Sequence, residues 1–435
     1  QPARGAQTPR RFGAGYARRQ RTHGAQTSLS KPPSRHKVVR PVLLNQFQPP
    51  VLIPKEKTMK LKKTLMSVAI AALSCGAALA DINIGVSLAL TGPGSGLGIP
   101  MQNQLKLFPK TIGGEKVNIV VLDDATDPGK GAANARRFVT EDKVDLIFGS
   151  CITAVAAAMS DIASEASTVQ ITGSPVGLPP GKDKWVFRLP QSNTVMGHAV
   201  VEHMKKQGVK TLGFLGYTDA YGEQWLKEIS PQLDKAGIKL VATERFARTD
   251  TSVTPQALKL NAANPDAILV VASGSGAAMP QMGLVERGFK GKIYQTHAAA
   301  TQDLMRVGGK AVEGTYVVSG PAVIAEQLPD SHPSKKVAIN FVQQYEKAVG
   351  PGTRNQFAGH SYDFQVTMEK VLPMALKKAK PGTPEFRAAI RDSLETMGRT
   401  VFAHGVMNWT KDDHWGYTME TGVMLKVVDG QFKVE

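Results

Sequence analysis

Cysteine is almost missing: the 435 residues contain two, Cys75 and Cys151. That excludes a disulfide scaffold, a cysteine-rich metal site and a C-x-x-C redox pair. Aromatic residues make up 6%, and acids are outnumbered by bases, 36 to 53. The usual catalytic signatures are missing too: there is no G-x-S-x-G, H-E-x-x-H or P-loop. His198 and His203 are spaced to splay on a helix, and Asp412-Asp413-His414 reads as a solvated turn. No catalytic residue, metal site or cofactor is expected from these patterns.

What is present begins at Met59. Lys60, Lys62 and Lys63 precede a small-residue apolar run, Leu65 to Ala80, that ends Ala78-Leu79-Ala80. A basic head, a short apolar middle and an A-x-A end form a secretory signal; the run is too short for a stable span of ~20 residues. Residues 59–80 therefore read as a cleaved signal peptide, with a mature chain from Asp81 located in the periplasm. Residues 1–58 hold twelve bases, one acid (Glu56) and no sustained apolar period. They read as an untranslated or disordered upstream segment, with Met59 the expected start. The charge of +17 then loses its meaning as a nucleic-acid signal. Residues 1–58 carry +11, the signal +3, and the remaining part only +3. Cys75 leaves with the signal, and Cys151 reads as a small buried residue.

From Asp81 onward short apolar runs alternate with helical patterns. Strands are expected at 82–90, 117–122, 144–148, 169–172 and 185–189, with a Gly-rich loop at 91–98 and helices at 101–110, from 127, and at 153–166. The pattern restarts with a helix at 195–207. Strands at 211–216, 239–246, 267–272, 292–296 and 315–319 follow, then helices at 334–349, 360–378 and 384–397, and a hairpin at 423–428 and 431–434. Alternating β and α elements build a parallel sheet with helices on both faces. Two such halves give an α/β fold of two doubly wound lobes.

The loop Thr91 to Gly98 fails the dinucleotide fingerprint, because the sixth position from Gly92 is Leu97 and from Gly94 is Ile99. Asp123 and Asp124 read as structural strand-end acids. What recurs is Gly, Ser and Thr where strands give way to helices: Thr91, Ser95, Ser150, Thr153, Ser174, Ser273 and Ser275. Hydroxyls and free N–H groups at helix starts bind carboxylates, and in open α/β sheets they face the crevice beyond the strands' carboxyl ends. A cleft between lobes follows.

The segments Ile82 to Gly98, Leu122-Asp123-Asp124-Ala125 with Asp127-Pro128, Phe148 to Ser174, Asp219 to Glu223, Val312-Glu313-Gly314 and Gly405 to Trp409 carry a resemblance by their order and spacing. The chain resembles the periplasmic solute-binding proteins of the branched-chain amino acid (Leu/Ile/Val-binding) type, with the type I periplasmic-binding fold. The resemblance implies lobe 1 at 81–190 with 321–403, lobe 2 at 191–320 with 404–435, and crossings near 189–192, 319–322 and 403–407. It implies an amino acid or related small carboxylate captured by hinge closure and passed to an ABC permease with its ATPases, with no enzymatic activity, no cofactor and no nucleic acid. Ligand contacts carry over to Ser95 and Leu97 in the first loop, Thr153 for the carboxylate, Ser174 and Val176, Tyr221 as a cover, Ser273 and Gly274 where an aromatic usually stands, and His297. The family's acid for an α-ammonium falls near His297 or Ala298, neither acidic. The disulfide of some relatives is missing, since Thr126 and Ile152 stand there. The expected ligand is therefore a carboxylate without that ammonium, an aromatic or other organic acid, with His297 supplying a hydrogen bond or a cation. Two other readings stay open: an exported ligand-sensing receptor domain, expected to need a separate partner, and a Rossmann-type enzyme.

Overall fold

In β1 (Ile82–Leu88) every residue but Asn83 is buried, which a strand covered on both faces requires. The computed structural model describes residues 81–435; the signal peptide and upstream segment read from the sequence lie outside them. β1 runs parallel to β3 (Glu115–Asp123), Ile82 opposite Val117, and to β4 (Leu146–Gly149), Ile84 opposite Leu146. With β2 (Thr111–Ile112), β5 (Val169–Thr172) and β6 (Val186–Arg188) they form a six-stranded sheet, order β2-β3-β1-β4-β5-β6. Between these strands lie α1 (Ser95–Leu105), α2 (Pro128–Thr140) and α3 (Thr153–Glu165). Gly85 is glycine because the Phe138 ring of α2 lies where its Cβ would be, 2.6 Å away.

The chain leaves this sheet after β6 and starts a second. Helix α4 (Asn193–Lys206) is capped by the Ser192 hydroxyl, which accepts from Val195 N–H. Then follow β7 (Thr211–Tyr217), α5 (Ala220–Ala236), β8 (Lys239–Phe246), α6 (Thr254–Ala263), β9 (Ala267–Val271), α7 (Ala278–Glu286), β10 (Lys292–Gln295), α8 (Gln302–Gly308) and β11 (Tyr316–Ser319). The chain returns through α9 (Lys335–Val349), α10 (Gln356–Leu376) and α11 (Pro384–Thr396). Helix α10 belongs to the first half, where Phe364 stacks on Phe148 of β4, centroids 4.1 Å apart. A short antiparallel pair, β12 (Thr400–Phe402) and β13 (Gly405–Met407), follows, and the hairpin β14 (Val423–Val428) and β15 (Gln431–Val434) extends the second sheet antiparallel beside β11. That seven-stranded sheet has the order β15-β14-β11-β10-β9-β7-β8. Two doubly wound lobes are the fold the sequence implies.

Several local expectations need correction. The loop at 91–98 is already helix from Ser95, and α1 ends at Leu105 rather than Lys110. The reason is packing: a Cβ on Gly98 would sit 2.1 Å from the Ala89 carbonyl oxygen. The second lobe repeats the device, since a Cβ on Gly222 would sit 1.9 Å from the Tyr217 carbonyl oxygen. In each lobe glycine lets the first helix start directly against the end of the first strand. Helix α10 begins four residues before His360, with Asn355 Oδ1 accepting from Ala358 N–H. Among the described residues no helix is long and apolar enough to cross a membrane.

The segments that carry the chain between the sheets touch one another. Gln191 Nε2 donates to the His404 carbonyl at 2.9 Å, and Ser319 Oγ donates to Gln356 Oε1 at 3.1 Å. Buried Asp363 of α10 gathers the third segment, accepting from Ala403 N–H (2.7 Å), His404 N–H (3.3 Å) and His404 Nδ1 (2.8 Å).

Candidate functional site

A cavity lies where the carboxyl ends of both sets of strands meet, the position in which open α/β sheets hold ligands. From the first lobe come Leu97, Cys151, Thr153 and Ser174; from the second come Tyr221, Arg248, Ser273 and His297; the start of α10 adds Gln356, Phe357 and His360.

Thr153 is the first residue of α3. Ile152 offers that helix no capping side chain, so its first-turn N–H groups are left for another acceptor. Ser174 lines the wall but spends its hydroxyl on the Ser150 carbonyl, 3.1 Å away. Tyr221 is fixed by its hydroxyl, which donates to Thr296 Oγ1 at 2.9 Å. Burial raises its pKa, so it stays a neutral phenol. Leu97 reaches the second lobe, its Cδ1 lying 3.1 Å from where a Cβ of Gly274 would stand.

Three residues expected from the sequence are not among those lining the cavity: Ser95, Val176 and Gly274. Ser95 opens α1. Val176 is fully buried, packed with Ala156 and Val186 in a small apolar cluster. Gly274 stands beside Leu97 where the lobes meet.

His297 does line it, buried between Tyr221 and Trp225 with its Nδ1 unpaired. Burial, and then the neighbouring His404, lowers its pKa to about 3, so it is a neutral hydrogen-bonding group and not the cation the sequence allowed. The cation is Arg248, which sequence reasoning missed. It follows β8, with its guanidinium 4.0 Å from the Tyr217 ring centroid. Nε donates to Asp219 Oδ2 (2.5 Å) and Nη1 to Ser273 Oγ (2.8 Å). Asp219 Oδ1 meanwhile caps α5, accepting from Tyr221 and Gly222 N–H. The signal available was an arginine just beyond a strand end, in the series that gave Thr153 and Ser174.

Among the described residues Arg248 is the single formally charged side chain on the wall, and no carboxylate lines it. Cys151 is no nucleophile there: burial, reinforced by Asp124, raises its thiol to about 12. Asp123 and Asp124 hold backbone and hydroxyls, Asp123 gathering Leu90 and Ala125 N–H groups and Asp124 the Ser87 and Ser150 hydroxyls. His360, Asp363 and His404 could bring ligand atoms within 4.8 Å of one another. The His360 and His404 rings stack at 4.1 Å and 23°, however, which sets their in-plane lone pairs side by side, and Asp363 is occupied by Ala403 and His404. The set fits a metal poorly. Outside the cavity lining, Gly177 N–H donates to Gln224 Oε1 (3.2 Å) and Gln224 Nε2 to the Gly177 carbonyl (3.4 Å), joining the two lobes.

A family model described as periplasmic binding protein matches residues 81–430. A solved structure of an extracellular ligand-binding receptor from Rhodopseudomonas palustris HaA2 is 46% identical, with a TM-score of 0.80, covering 82% of this chain and 100% of its own. The Leu/Ile/Val-binding protein homolog 1 of Brucella suis is 26% identical over 283 residues, 60% of this chain and 73% of that protein. A solute-binding protein of an R. palustris ABC transporter, solved in complex with benzoate, shares the fold at 17% identity and a TM-score of 0.68, covering 82% of this chain and 95% of its own. Such homologues are solute-binding proteins rather than enzymes. The chain belongs to the periplasmic binding protein family.

Proposed function

We propose that this protein is the periplasmic capture component of an ABC importer, exported by the signal at 59–80, which closes over a small organic carboxylate and delivers it to a permease. The observation that carries the ligand class is the wall itself: one guanidinium, an uncapped helix start, hydroxyls and neutral imidazoles, and no acid to receive an ammonium. A buried ammonium without a partner is costly, so a carboxylate without one fits better than a zwitterionic amino acid. In this reading Thr153 and the α3 N–H groups take one side of the carboxylate, Arg248 and Ser273 the other, and Tyr221 and His297 cover the remainder. The benzoate held by a protein of the same fold supports an aromatic acid as occupant.

The lobes are assigned to 81–190 with 321–403 and 191–320 with 404–435, hinged at the three touching crossings. Binding drives closure only to the extent that the closed form holds the ligand better, and the Gln224–Gly177 bridge is present only when the lobes meet. A receptor role, the description of the Rhodopseudomonas relative, uses the same capture step.

The test is a thermal-shift screen of benzoate, 4-hydroxybenzoate, phenylacetate, 4-methyl-2-oxopentanoate, leucine and valine, with mass spectrometry of solutes released on denaturation. Stabilisation by the four acids is expected. Stabilisation by leucine or valine alone would refute the ligand class.

A further inference from the structure

Two imidazoles, those of His297 and His360, line the cavity, and a third, His404, is buried against His360; all three have unused ring nitrogens. His360 lines the wall with neither nitrogen hydrogen-bonded, His297 leaves Nδ1 unpaired, and His404 leaves Nε2 unpaired. Buried polar atoms without partners call for an explanation. The formal charges around them supply one. Arg248 is matched by Asp219. Asp363, buried on the same helix as His360, bonds His404 Nδ1. Asp124 stands behind Cys151, close enough to raise its pKa. Among the described residues Arg248 is the one cation on the wall and is already paired with Asp219, while Cys151, Tyr221 and Tyr417 are held neutral by burial. A carboxylate entering these surroundings adds a negative charge beside a cation that already has a partner.

We propose that the cavity takes up an organic monoanion together with one proton from solvent, held by His360 where it faces the ligand and stacks on His404. This rests on the carboxylate reading above and deepens it: a zwitterion brings its own positive charge and takes up no proton, so proton stoichiometry reports the ligand class. Burial, then His404 and His297, holds His360 well below the ordinary histidine value, so an imidazolium there needs an anion beside it. The sign follows from linkage. His360 is neutral in the free protein and its pKa rises in the complex, so one proton is bound between those two values. Affinity falls tenfold per pH unit as pH rises through that window and levels off above the complex's pKa.

The experiment is calorimetric titration of the full mature protein with benzoate, 4-hydroxybenzoate, phenylacetate and 4-methyl-2-oxopentanoate, and with leucine for comparison. It is run at pH 6.5 in phosphate and in Bis-Tris, whose different ionisation heats reveal proton exchange, and repeated from pH 5.5 to 8. About one proton per acid is expected and none with leucine; His360→Gln should abolish the uptake. Should that variant not fold, imidazole 15N NMR of the unaltered protein with benzoate reads the same event as one new imidazolium. An acid bound with no proton taken up and no pH dependence overturns this inference while leaving the carboxylate reading intact. Failure of all four acids to bind, with or without binding of leucine, overturns both.

Discussion

Replacing Arg248 by Gln removes the cation from the cavity wall while keeping an amide near the position of Nε, the donor to Asp219. The guanidinium spends Nε on Asp219 and Nη1 on Ser273, and no bond from Nη2 is recorded among the described residues, so part of the five-donor fork remains for a ligand. A hydrogen bond to a charged group contributes about 1.5–3 kcal/mol, and each 1.4 kcal/mol is tenfold in Kd. Benzoate should therefore bind roughly 10- to 150-fold more weakly. The variant also leaves Asp219 without its counter-ion, which adds repulsion of its own. The double variant Arg248→Gln with Asp219→Asn isolates the direct contact and should recover part of the loss. Calorimetry with benzoate and with its neutral isostere benzamide supplies the control. The acid should lose affinity far more than the amide. Equal losses, or none, would show that Arg248 only braces Asp219 and Tyr217, and the anion reading of the wall would fail.

Val176→Ala should cost about 2–3 kcal/mol in urea unfolding, from two deleted methyl groups and the void they leave, with Kd unchanged; a weakened Kd would place Val176 at the ligand. Gly222→Ala forces a Cβ against the Tyr217 carbonyl and should destabilise the fold by at least about 2 kcal/mol, read from the same unfolding curves. Gln224→Ala removes two neutral bonds between the lobes and should raise Kd by roughly 5- to 150-fold, at about 0.5–1.5 kcal/mol for each bond, with stability unaltered. Asp124 has its pKa raised by burial, against the hydrogen bond from Ser150. The folded state then binds more protons than the unfolded one between the ordinary value and the raised one, so stability falls as pH rises through that window. Asp124→Asn should flatten this slope between pH 4 and 8, and an unchanged slope would show that other groups set it.

Both sheets were legible because parallel strands buried on two faces must be apolar almost throughout, as Ile82–Leu88 and Ala267–Val271 are. The short pieces were not. Strand β2 is two residues long, turning through Gly113 and Gly114 into β3, and β12 and β13 have three residues each, too few for any period to show. Gly98 is glycine because of the Ala89 carbonyl, a contact visible only once helix and strand are placed. In the site, Thr153, Ser174 and Ser273 were read from hydroxyls at strand ends, which converge by topology, and Leu97, Tyr221 and His297 from the family resemblance; all six line the cavity. Arg248 follows a strand end in the same way, yet an arginine in a polar stretch looks like ordinary surface until Tyr217 and Asp219 are seen to hold it inward. His360 and His404 could not be paired from sequence: 44 positions separate them, and their stacking depends on how α10 meets the third crossing.

That dependence bears on how capture and movement are joined. The first lobe contributes an uncapped helix start and the second an arginine already paired with its own acid. The proton proposed on His360 adds positive charge in the region between them, where His360 of α10 packs on His404 of the crossing and Asp363 fixes that crossing through two backbone N–H groups. A charge appearing on His360 would alter the electrostatics of the same stack that ties α10 to the hinge. Ligand chemistry and hinge geometry would then share one set of side chains, which gives a physical route for the closed form to prefer an anion over a neutral solute of equal shape.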